Sequence, residues 1–392
     1  MKSDKSTPNV PTLRFPDFSE EWRSTPMKNV CSFAKGYGIA KENLSAEGTP
    51  CILYGELYTY YKTAIAKDIR SKTQLDPTDL FHSKANDVII PCSGETAIDI
   101  ATSVCVPYDD VLLGGDLTVI RTKLNGAFLS NQLNSVRRKK IATIAQGASI
   151  VHLHADELKK INITYPTSEE QDKIAHFIDC LDERIATQNK IIEDLKILKK
   201  ELCNRVFGGG IFVRLGDHIS EITTRNKTNT CNNVLSVSNK MGFIKQSEQF
   251  EDRTVASEDK RNYKVVTEGC FAYNPARINV GSIALLSSYK IGIISPMYVC
   301  FNVKDTLEAE YLSFYYQSDS FFKELQKKLE GSVRQCLTYE NMCDIQIPYV
   351  DVQRQKEIAV TLNKFVNLIA VEEQYLRLLQ RQKSYFLNAM FI

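Results

Sequence analysis

The sequence predicts a mixed α+β protein in which a strand-rich domain followed by a long helix occurs twice. Residues 147–207 align without a gap on residues 331–391, at a constant shift of 184, and fourteen of these 61 positions are identical. Each copy ends in a heptad pattern of about five repeats, which is the spacing of a coiled coil. A duplicated chain makes two similar units, and two similar units suit a target that has two parts.

Composition limits the class of protein. A chain of 392 residues is long enough for two or three domains, and 43% hydrophobic and 24% charged residues are ordinary for a globular protein. No apolar run approaches the roughly 18 residues of a membrane span, and the polar start lacks a signal core, so we expect a cytoplasmic location. Eleven scattered cysteines are expected to be reduced, and no metal-ligand spacing occurs. A net charge of +2 means that any anion-binding face is local or completed by a partner.

The pattern divides the chain into four segments. A first domain is predicted over 1–166 and a first long helix over 167–207. A second domain follows over 208–349 and a second long helix over 350–392. A helix of about 40 residues is roughly 60 Å long, so we expect the two helices to cover each other along one seam. The alternative is that each helix packs by itself on its own domain.

The start of the first helix carries capping signals. Thr167 with Glu170, or Ser168 with Gln171, forms a capping box, and three glycines at 208–210 end the helix. The predicted seam residues are Ile174, Ile178, Leu181, Ile185, Gln188, Ile192 and Leu195 in the first helix, and Ile358, Leu362, Phe365, Ile369, Glu372, Leu376 and Leu379 in the second. The polar members, Gln188 and Glu372, fall at equivalent places and would fix the register.

The two domains share apolar framework positions but differ in the chemistry of their loops. The strand signals lie at 86–91 and 117–120 in the first copy and at 269–273 and 297–301 in the second. The polar loops lie at 55–62 and 93–96 in the first copy and at 238–242 and 274–279 in the second. One scaffold with two sets of loops can be directed at two different ligands.

Motifs of catalysis are missing from the sequence. It contains no phosphate-binding loop, no Gly-x-Ser-x-Gly turn and no His-Glu-x-x-His helix. Asn274-Pro275 is similar to the start of an adenine-methyltransferase segment, but Ala276-Arg277 follow, so we expect no catalytic residue. The basic run that contains Arg137 and Arg138 either contacts phosphates or forms a solvated helix face.

In combination, several segments resemble the specificity subunit of type I restriction-modification systems, over nearly the whole chain. These segments are Pro11-x-Leu13-Arg14-Phe15-Pro16-x-Phe18 with Glu21-Trp22, Ile161-Asn162-Ile163-Thr164-Tyr165-Pro166 with Glu170-Gln171-x-Lys173-Ile174, Tyr273 to Ser282, and Ser295-Pro296-x-Tyr298. The second helix departs from the usual start, because Asp351-Val352-Gln353-Arg354-Gln355 replaces the Pro and Glu-Gln form, and this weakens its predicted capping.

The resemblance implies two similar target-recognition domains separated by two long antiparallel helices that form a coiled coil, with a pseudo-twofold repeat. It implies two bound modification subunits, which carry S-adenosylmethionine and methylate adenine at N6, and restriction subunits driven by ATP and Mg²⁺. This chain would be the non-catalytic reader of double-stranded DNA and would hold no cofactor itself. A stand-alone DNA-binding regulator and a coiled-coil scaffold with no DNA role remain alternatives.

Base reading gives the loop residues their predicted roles. Asn or Gln pairs with adenine, Arg or Lys with guanine, and Glu accepts from cytosine, each good pair giving about 1–3 kcal/mol of discrimination. The candidates for DNA binding are Tyr54, Glu56, Tyr58, Tyr60, Lys62, Ser93, Glu95, Thr96, Arg137 and Arg138 in the first domain, and Asn239, Lys240, Asn274, Arg277 and Asn279 in the second. Each is alternatively a solvent-facing loop residue. We predict a bipartite, asymmetric DNA site whose halves lie about 34 Å apart, with the helix pair as a ruler.

Overall fold

The chain folds into two compact units. The computed structural model describes residues 9–147, 150–239, 241–249, 259–331 and 335–392. Unit 1 contains Met1–Asn189 and Gln374–Ile392, and unit 2 contains Lys190–Glu373. Each unit therefore combines one predicted domain with one half of each long helix, and the predicted domain boundaries stay a prediction. No helix among the described residues has both the length and the apolar character that a membrane span needs.

Unit 1 is a mixed α+β structure of short strands. Its strands are β1 (Arg23–Pro26), β2 (Cys31–Lys35), β3 (Leu44–Ser45), β4 (Thr49–Ile52), β5 (Ser71–Thr73), β6 (Asp87–Pro91), β7 (Ser93–Gly94), β8 (Val104–Val106), β9 (Leu112–Leu113), β10 (Leu117–Thr122), β11 (Val151–His152) and β12 (Asn162–Tyr165). Its helices are α1 (Glu56–Thr59), α2 (Ala97–Ile100), α3 (Gly126–Asn134), α4 (Arg138–Ile144), α5 (Ala155–Leu158) and the first part of the long helix α6 (Ser168–Phe207).

Two four-stranded sheets organise unit 1. One has the order β2-β10-β6-β8 and is antiparallel throughout, and the other has the order β3-β5-β4-β9, in which β4 and β9 are parallel. The strands β6 and β10 are buried along most of their length, which explains their runs of Val, Ile and Leu. Their side chains join the rings of Trp22 and Phe128 and the long-helix residues Ile174 and Ile178 in one apolar core.

Unit 2 repeats this plan. Its strands are β13 (Ile211–Arg214), β14 (Ile219–Glu221), β15 (Val234–Ser238), β16 (Gly242–Lys245), β17 (Lys264–Thr267), β18 (Phe271–Tyr273), β19 (Ile283–Leu285), β20 (Ile291–Ile294), β21 (Val299–Val303) and β22 (Gln346–Tyr349). Its helices are α7 (Gln246–Gln249), α8 (Ala309–Tyr315), α9 (Asp319–Lys328), α10 (Tyr339–Cys343), the second part of α6 and the first part of the long helix α11 (Val352–Ala389).

One of the two sheets has the same order in both units. The antiparallel order β14-β21-β18-β19 matches β2-β10-β6-β8 of unit 1. The second sheets each contain one parallel pair, which lies at the edge in unit 1 (β4 with β9) and in the centre in unit 2 (β15 with β20). In each unit the strand before the long helix, β12 or β22, pairs with the strand that enters the domain. The predicted internal repeat and mixed α+β class are thereby confirmed.

The long helices run antiparallel in unit 1. The ring of Phe177 on α6 packs edge-on against that of Phe386 on α11, with centroids 4.8 Å apart. Farther along α6, Asp182 accepts a hydrogen bond from Lys383, and the Arg184 guanidinium donates to the hydroxyl of Tyr375. Partner numbers on α11 fall as numbers on α6 rise, which is the antiparallel direction that the resemblance implied.

The same pairing holds in unit 2, between the second half of α6 and the first half of α11. Lys196 forms an ion pair of 2.6 Å with Glu373, whereas Phe207 at the end of α6 shares its core with Leu362. Each of the fourteen predicted seam residues is buried or half-buried. The helices therefore cover each other, and the alternative of two separately packed helices is wrong.

A buried glutamine joins each long helix to its domain in the same way. The Gln171 side chain accepts a hydrogen bond from the backbone N–H of Asn125 (2.9 Å) and donates one to the carbonyl of Pro166 (2.9 Å). Gln355 accepts from the N–H of Glu308 (2.8 Å) and donates to the carbonyl of Val350 (2.8 Å). Both side chains are at least 97% buried, since their exposed fractions are 3% and 0%. The identity of this position in the two copies follows from an identical joint.

Two details of the capping prediction are wrong. Glu170 does not close a capping box, because its fully buried carboxylate accepts two hydrogen bonds of 2.7 Å from Arg14. The start of α11 is not left weakly capped either, since the carboxylate of Asp351 accepts from the N–H of Arg354 at 3.0 Å. Two segments taken as loops also contain regular structure, namely α1 within 55–62 and β7 within 93–96.

The Gln355 joint can be tested by mutation. Gln355→Leu keeps the volume but removes the partner of the partly buried N–H of Glu308 and of the Val350 carbonyl, so we expect the free energy of unfolding to fall by about 1–3 kcal/mol. Chemical denaturation followed by circular dichroism measures this loss. Gln353→Leu is the matched control, because Gln353 lies exposed on the same turn and its replacement should change little. Equal stability of the two variants would contradict the joint.

Candidate nucleic-acid interface

The candidate loops of the two units leave the same point of the repeated fold. In unit 1 the N–H of Leu153 donates to the carbonyl of Cys92 (2.8 Å), and in unit 2 the N–H of Leu337 donates to the carbonyl of Pro275 (3.1 Å). Leu153 and Leu337 are equivalent in the repeat. The segments 93–96 and 276–279 therefore follow equivalent strands, β6 and β18, and occupy equivalent places in the two units.

The unit 2 loop is closed by its own backbone. The Asn274 N–H donates to the carbonyl of Ser282 (3.1 Å), and the Ser282 N–H donates back to the carbonyl of Arg277 (3.1 Å). The Asn274 side-chain oxygen accepts from the N–H of Ala276 (3.1 Å). Gly281 adopts a φ of 88°, a left-handed conformation that other residues rarely take. These constraints hold the loop in one shape before any ligand binds.

Three predicted residues meet at a pocket of about 380 Å³ beside this loop. Asn239, Asn274 and Arg277 line it, together with Gln246, Tyr263, Ser282, Ser295, Met297 and Tyr298. Arg277 is the one charged side chain among its described lining residues, and within the described part of the chain it makes no ion pair or side-chain hydrogen bond. Its five N–H donors are therefore available to a ligand.

The amides around the pocket differ in what they can offer. Bidentate pairing with adenine needs both the oxygen and the NH₂ group of an Asn. Asn274 is buried and its oxygen is engaged in the turn, so it suits the shaping of the loop better than base reading. Asn239 and Asn279 are exposed, and Asn279 lies outside the pocket lining, on a 3₁₀ turn over Ile278–Val280. Lys240 lies outside the described residues.

In unit 1 the structure brings the two predicted loops together. The ring of Tyr58 lies against Gly94 of the second loop, close enough that a Cβ added there would lie 3.8 Å from it. Burial, with further contributions from Tyr54, Glu95 and Asp99, raises the pKa of Tyr58.

The carboxylate of Glu95 is exposed and makes no hydrogen bond or ion pair within the described residues, so it is open to a donor such as a cytosine amino group.

Other unit 1 candidates already have partners within the chain. Glu56 accepts from the Leu53 N–H (2.8 Å) and the Ser71 hydroxyl (2.6 Å), which ties α1 to β5. Tyr60 donates to Asp68 (2.9 Å), Lys62 to the Tyr58 carbonyl (3.4 Å), Ser93 to Asp116 (3.1 Å), and Thr96 caps α2 through the N–H of Asp99 (3.1 Å). Their predicted base contacts stay predictions, and these bonds indicate roles in shaping the loops.

The two arginines of the basic run are also engaged. The Arg137 guanidinium donates to the carbonyl of Asn162 (2.7 Å) and to the backbone oxygen of Ile392 (2.9 Å), and burial lowers its pKa. Arg138 donates to the carbonyl of Ile98 (3.2 Å). These contacts tie α4 and the C-terminal end of α11 to unit 1, whereas a phosphate contact of either side chain remains a prediction.

Several pocket-lining residues of unit 2 are not among the predicted site residues. Ser295 and Tyr298 stand in the Ser-Pro-x-Tyr motif, which was a signal for them, and the Tyr298 N–H donates to the Ser295 carbonyl (3.1 Å). Gln246 and Tyr263 carry no motif. Gln246 directly follows β16, and Tyr263 directly precedes β17. Both strands belong to the sheet β16-β15-β20-β17, which brings the two residues to the pocket.

Comparison with known proteins places this architecture in a family. The sequence model described as the type I restriction modification DNA specificity domain matches twice, over residues 19–197 and 212–381. These matches cover most of the chain and fall one on each copy of the repeat. The chain belongs to the family of type I restriction-modification specificity subunits, whose task is DNA sequence recognition and whose catalytic activity lies in partner subunits.

Individual relatives match this chain over nearly its whole length. The chain is 22% identical to the type I restriction enzyme MjaVIII specificity subunit of Methanocaldococcus jannaschii, over 96% of this chain and 93% of the relative. It is 23% identical to the putative type I restriction enzyme MjaX specificity subunit of the same organism, over 95% of this chain and 93% of that relative. The fold is similar to the type I S subunit from M. genitalium, with a TM-score of 0.60, 15% identity and coverage of 98% and 99%. It is also similar to a structure of the type I R-M system reported for its complex assembly, with a TM-score of 0.56 and 18% identity. That match covers 94% of this chain and 96% of the other.

Proposed function

We propose that this chain reads an asymmetric, bipartite DNA site and directs N6-adenine methylation and ATP-dependent restriction by partner subunits. One observation carries the proposal: equivalent loops of one duplicated scaffold carry different chemistry. Unit 1 presents the exposed Glu95 carboxylate next to Gly94, against which the Tyr58 ring lies, whereas unit 2 presents the Arg277 guanidinium at a pocket that Asn239 also lines. An acceptor and a donor cannot select the same base pattern, so the two halves of the site should differ.

Arg277 is the residue best placed for base reading in unit 2. Its side chain is exposed and makes no hydrogen bond or ion pair among the described residues. It extends from a loop that is closed by backbone hydrogen bonds. Guanine offers N7 and O6 as acceptors in the major groove, and a guanidinium binds both. The exposed Met297 and Val280 near the pocket could contact the methyl group of a thymine. We therefore assign a guanine contact to Arg277.

The partner subunits would supply the rest of the complex. A net charge of +2 leaves phosphate neutralisation to local groups and to partners. The helix α11 exposes apolar side chains that its seam does not use: Val360, Leu368 and Val371 in unit 2, and Leu378 and Tyr385 in unit 1. Such side chains suit helix packing by another protein. We propose that two modification subunits bind here and carry S-adenosylmethionine, and that restriction subunits carry ATP and Mg²⁺.

The proposal is tested by mapping N6-methyladenine in cells with and without this chain. Loss of one bipartite methylated motif on deletion, and its return on complementation, is the expected result. An unchanged methylation map would overturn the proposal. An electrophoretic shift with and without the modification subunit separates the alternatives: a stand-alone regulator binds DNA tightly by itself, and a scaffold binds no DNA in either case.

Replacing Arg277 should relax one position of the site. Arg277→Gln removes a bidentate guanine contact, and we expect binding to the cognate site to weaken by about 1–3 kcal/mol with loss of preference at a single base pair. Competition binding against single-base variants measures this change. Arg214→Gln is the control, because Arg214 lies in the same unit but pairs with Asp344 at 2.8 Å. Unchanged selectivity of the Arg277 variant would contradict the assignment.

The long helices should set the spacing between the half-sites. Deleting residues 186–192 and 370–376 removes one heptad at equivalent places and preserves the phase of the seam. Seven helical residues span about 10 Å, which is close to three base pairs at 3.4 Å each. We expect the unspecified spacer of the methylated motif to shorten accordingly. A folded deletion variant that methylates the original motif would refute the ruler.

A further inference from the structure

Unit 2 contains an open groove between its two half-helices. The groove has a volume of about 360 Å³ and is lined by Lys196, Lys199, Lys200 and Cys203 of α6, Val366, Ile369, Ala370 and Glu373 of α11, and Gln317. The aliphatic side chains form the walls, and three lysines of α6 bring positive charge to it. Three lysines against the single carboxylate of Glu373 give the lining a net positive charge, which suits an amphipathic ligand that carries negative charge.

One of the three lysines has no counter-ion among the residues that the structure describes. Lys196 pairs with Glu373 at 2.6 Å, and Lys200 pairs with Asp319 at 3.6 Å. Lys199 donates to the side-chain oxygen of Gln317 (2.9 Å), and its ammonium lies 5.7 Å from the centre of the Phe314 ring, but it makes no ion pair with any carboxylate in the described part of the chain. Lys199 is half-buried, and burial lowers its pKa. A half-buried cation without a counter-ion is destabilising until a carboxylate reaches it.

Unit 1 provides that counter-ion internally. Lys383 occupies the position of Lys199 in the repeat, and it donates to the carboxylate of Asp182. The residue equivalent to Asp182 is Val366, which lines the groove in unit 2. The same interhelical position therefore holds an ion pair in unit 1 and a lysine opposite a valine in unit 2.

The difference extends over the surrounding turn. In unit 1 the α6 residues Asp179, Asp182 and Glu183 bring three carboxylates to the helix pair. Their equivalents on α11 are Asn363, Val366 and Asn367, so unit 2 has none of the three. The flanking positions change in the other direction, because Gln380 and Ser384 of unit 1 correspond to Lys196 and Lys200. Unit 2 gains Glu372 and Glu373 where unit 1 has Gln188 and Asn189, but the loss of three carboxylates and the gain of two lysines leave it the more positively charged of the two.

Unit 1 also indicates what covers such a groove. There the chain's own segment from Tyr60 to Asp68 lies over the acidic residues, and Lys67 donates to Asp179 (2.7 Å) and to Glu183 (2.7 Å). A cation from the covering segment meets carboxylates of the helix. In unit 2 the sign is reversed, so a covering segment needs a carboxylate. Gln317, the one domain residue that lines the groove among those described, is neutral.

We propose that this groove of unit 2 docks a carboxylate-bearing segment of a modification subunit, whose acidic side chain pairs with Lys199. The inference rests on the proposed function, since it requires that modification subunits bind this chain. It adds that the two docking places are chemically unequal: unit 1 neutralises its lysine with Asp182, whereas unit 2 takes the carboxylate from its partner. One modification subunit should therefore depend on Lys199 and the other should not.

The repeat itself supplies the decisive variant. Val366→Asp copies Asp182 into unit 2 and gives Lys199 an internal counter-ion at a side chain that is 38% exposed. Val366→Asn has nearly the same shape without the charge and is the matched control. We expect Val366→Asp to weaken binding of one modification subunit by tenfold or more, because the partner's carboxylate then meets another carboxylate. Val366→Asn should stay within about twofold of the wild type, since it adds no charge to the groove.

Native mass spectrometry of the full chain, titrated with its cognate modification subunit, resolves complexes with one and with two bound copies. The expected result is that Val366→Asp retains the complex with one copy and loses the complex with two. Lys199→Gln is a second variant with the same expected loss, and it keeps the inference testable if Val366→Asp fails to fold. Wild-type occupancy of both places by both variants would overturn the inference and leave the proposed function intact.

Three other results would also overturn it. If the wild-type chain binds no modification subunit, the proposed function fails and this inference fails with it. Sedimentation velocity of the chain alone identifies the other occupant: if the wild type self-associates and Val366→Asp does not, the groove receives a second copy of the chain. If sulfate alone protects the wild type against thermal unfolding while both variants retain two modification subunits, the groove binds small anions only.

Discussion

The buried glutamine at the start of each long helix is the interaction on which the arrangement within each unit depends. Gln171 and Gln355 each connect the first turn of a helix with the loop before it and with the backbone of the domain. An amide side chain accepts and donates at once, so it fixes both the direction and the rotation of the helix relative to the domain. Errors at this point would be amplified along a helix of about 60 Å. The proposed DNA site, with its two halves, would need such a rigid connection.

The two units of this chain share a structural frame but differ in their loops. An antiparallel sheet of the same order, a strand pair before each helix and a shared apolar seam recur in both units. The loops after β6 and β18 begin at the same backbone contact but present different groups, an exposed carboxylate in one case and a guanidinium in the other. Backbone hydrogen bonds determine where a loop lies, and side chains determine what it binds, so the two properties can change independently.

The charged residues along the helix pair differ between the two units, although the packing of the helices repeats. The apolar seam positions are kept between copies because any loss there would open a cavity. Positions at the edge of the seam are less constrained, and there Asp182 and Val366 differ while Lys383 and Lys199 are kept. A duplicated protein can in this way retain one packing geometry and still present two different surfaces. Bulk charge, which is close to neutral, conceals this difference entirely.

By itself the sequence determined the repeat, the fold class, the two long helices, their seam and the family. These properties depend on local periodicity and on the match between two segments of one chain, both of which are visible without coordinates. The four strand signals fall on β6, β10, β18 and β21, whereas many shorter elements, such as α1 and β7, were not predicted. They are too short to carry a period, and neighbours far along the chain stabilise them.

Only the tertiary structure decided which polar groups are available. Glu56 and Arg137 look like contact residues in the sequence, but their partners come from other elements and already occupy them. Arg277 and Glu95 look no different in the sequence, yet their side chains make no hydrogen bond or ion pair within the described part of the chain. The counter-ion of Lys383 lies 201 residues away at Asp182. Hydrogen bonds and ion pairs depend on distances of about 3 Å between groups that chain separation does not constrain, so pairing can be found only after the fold has brought the groups together.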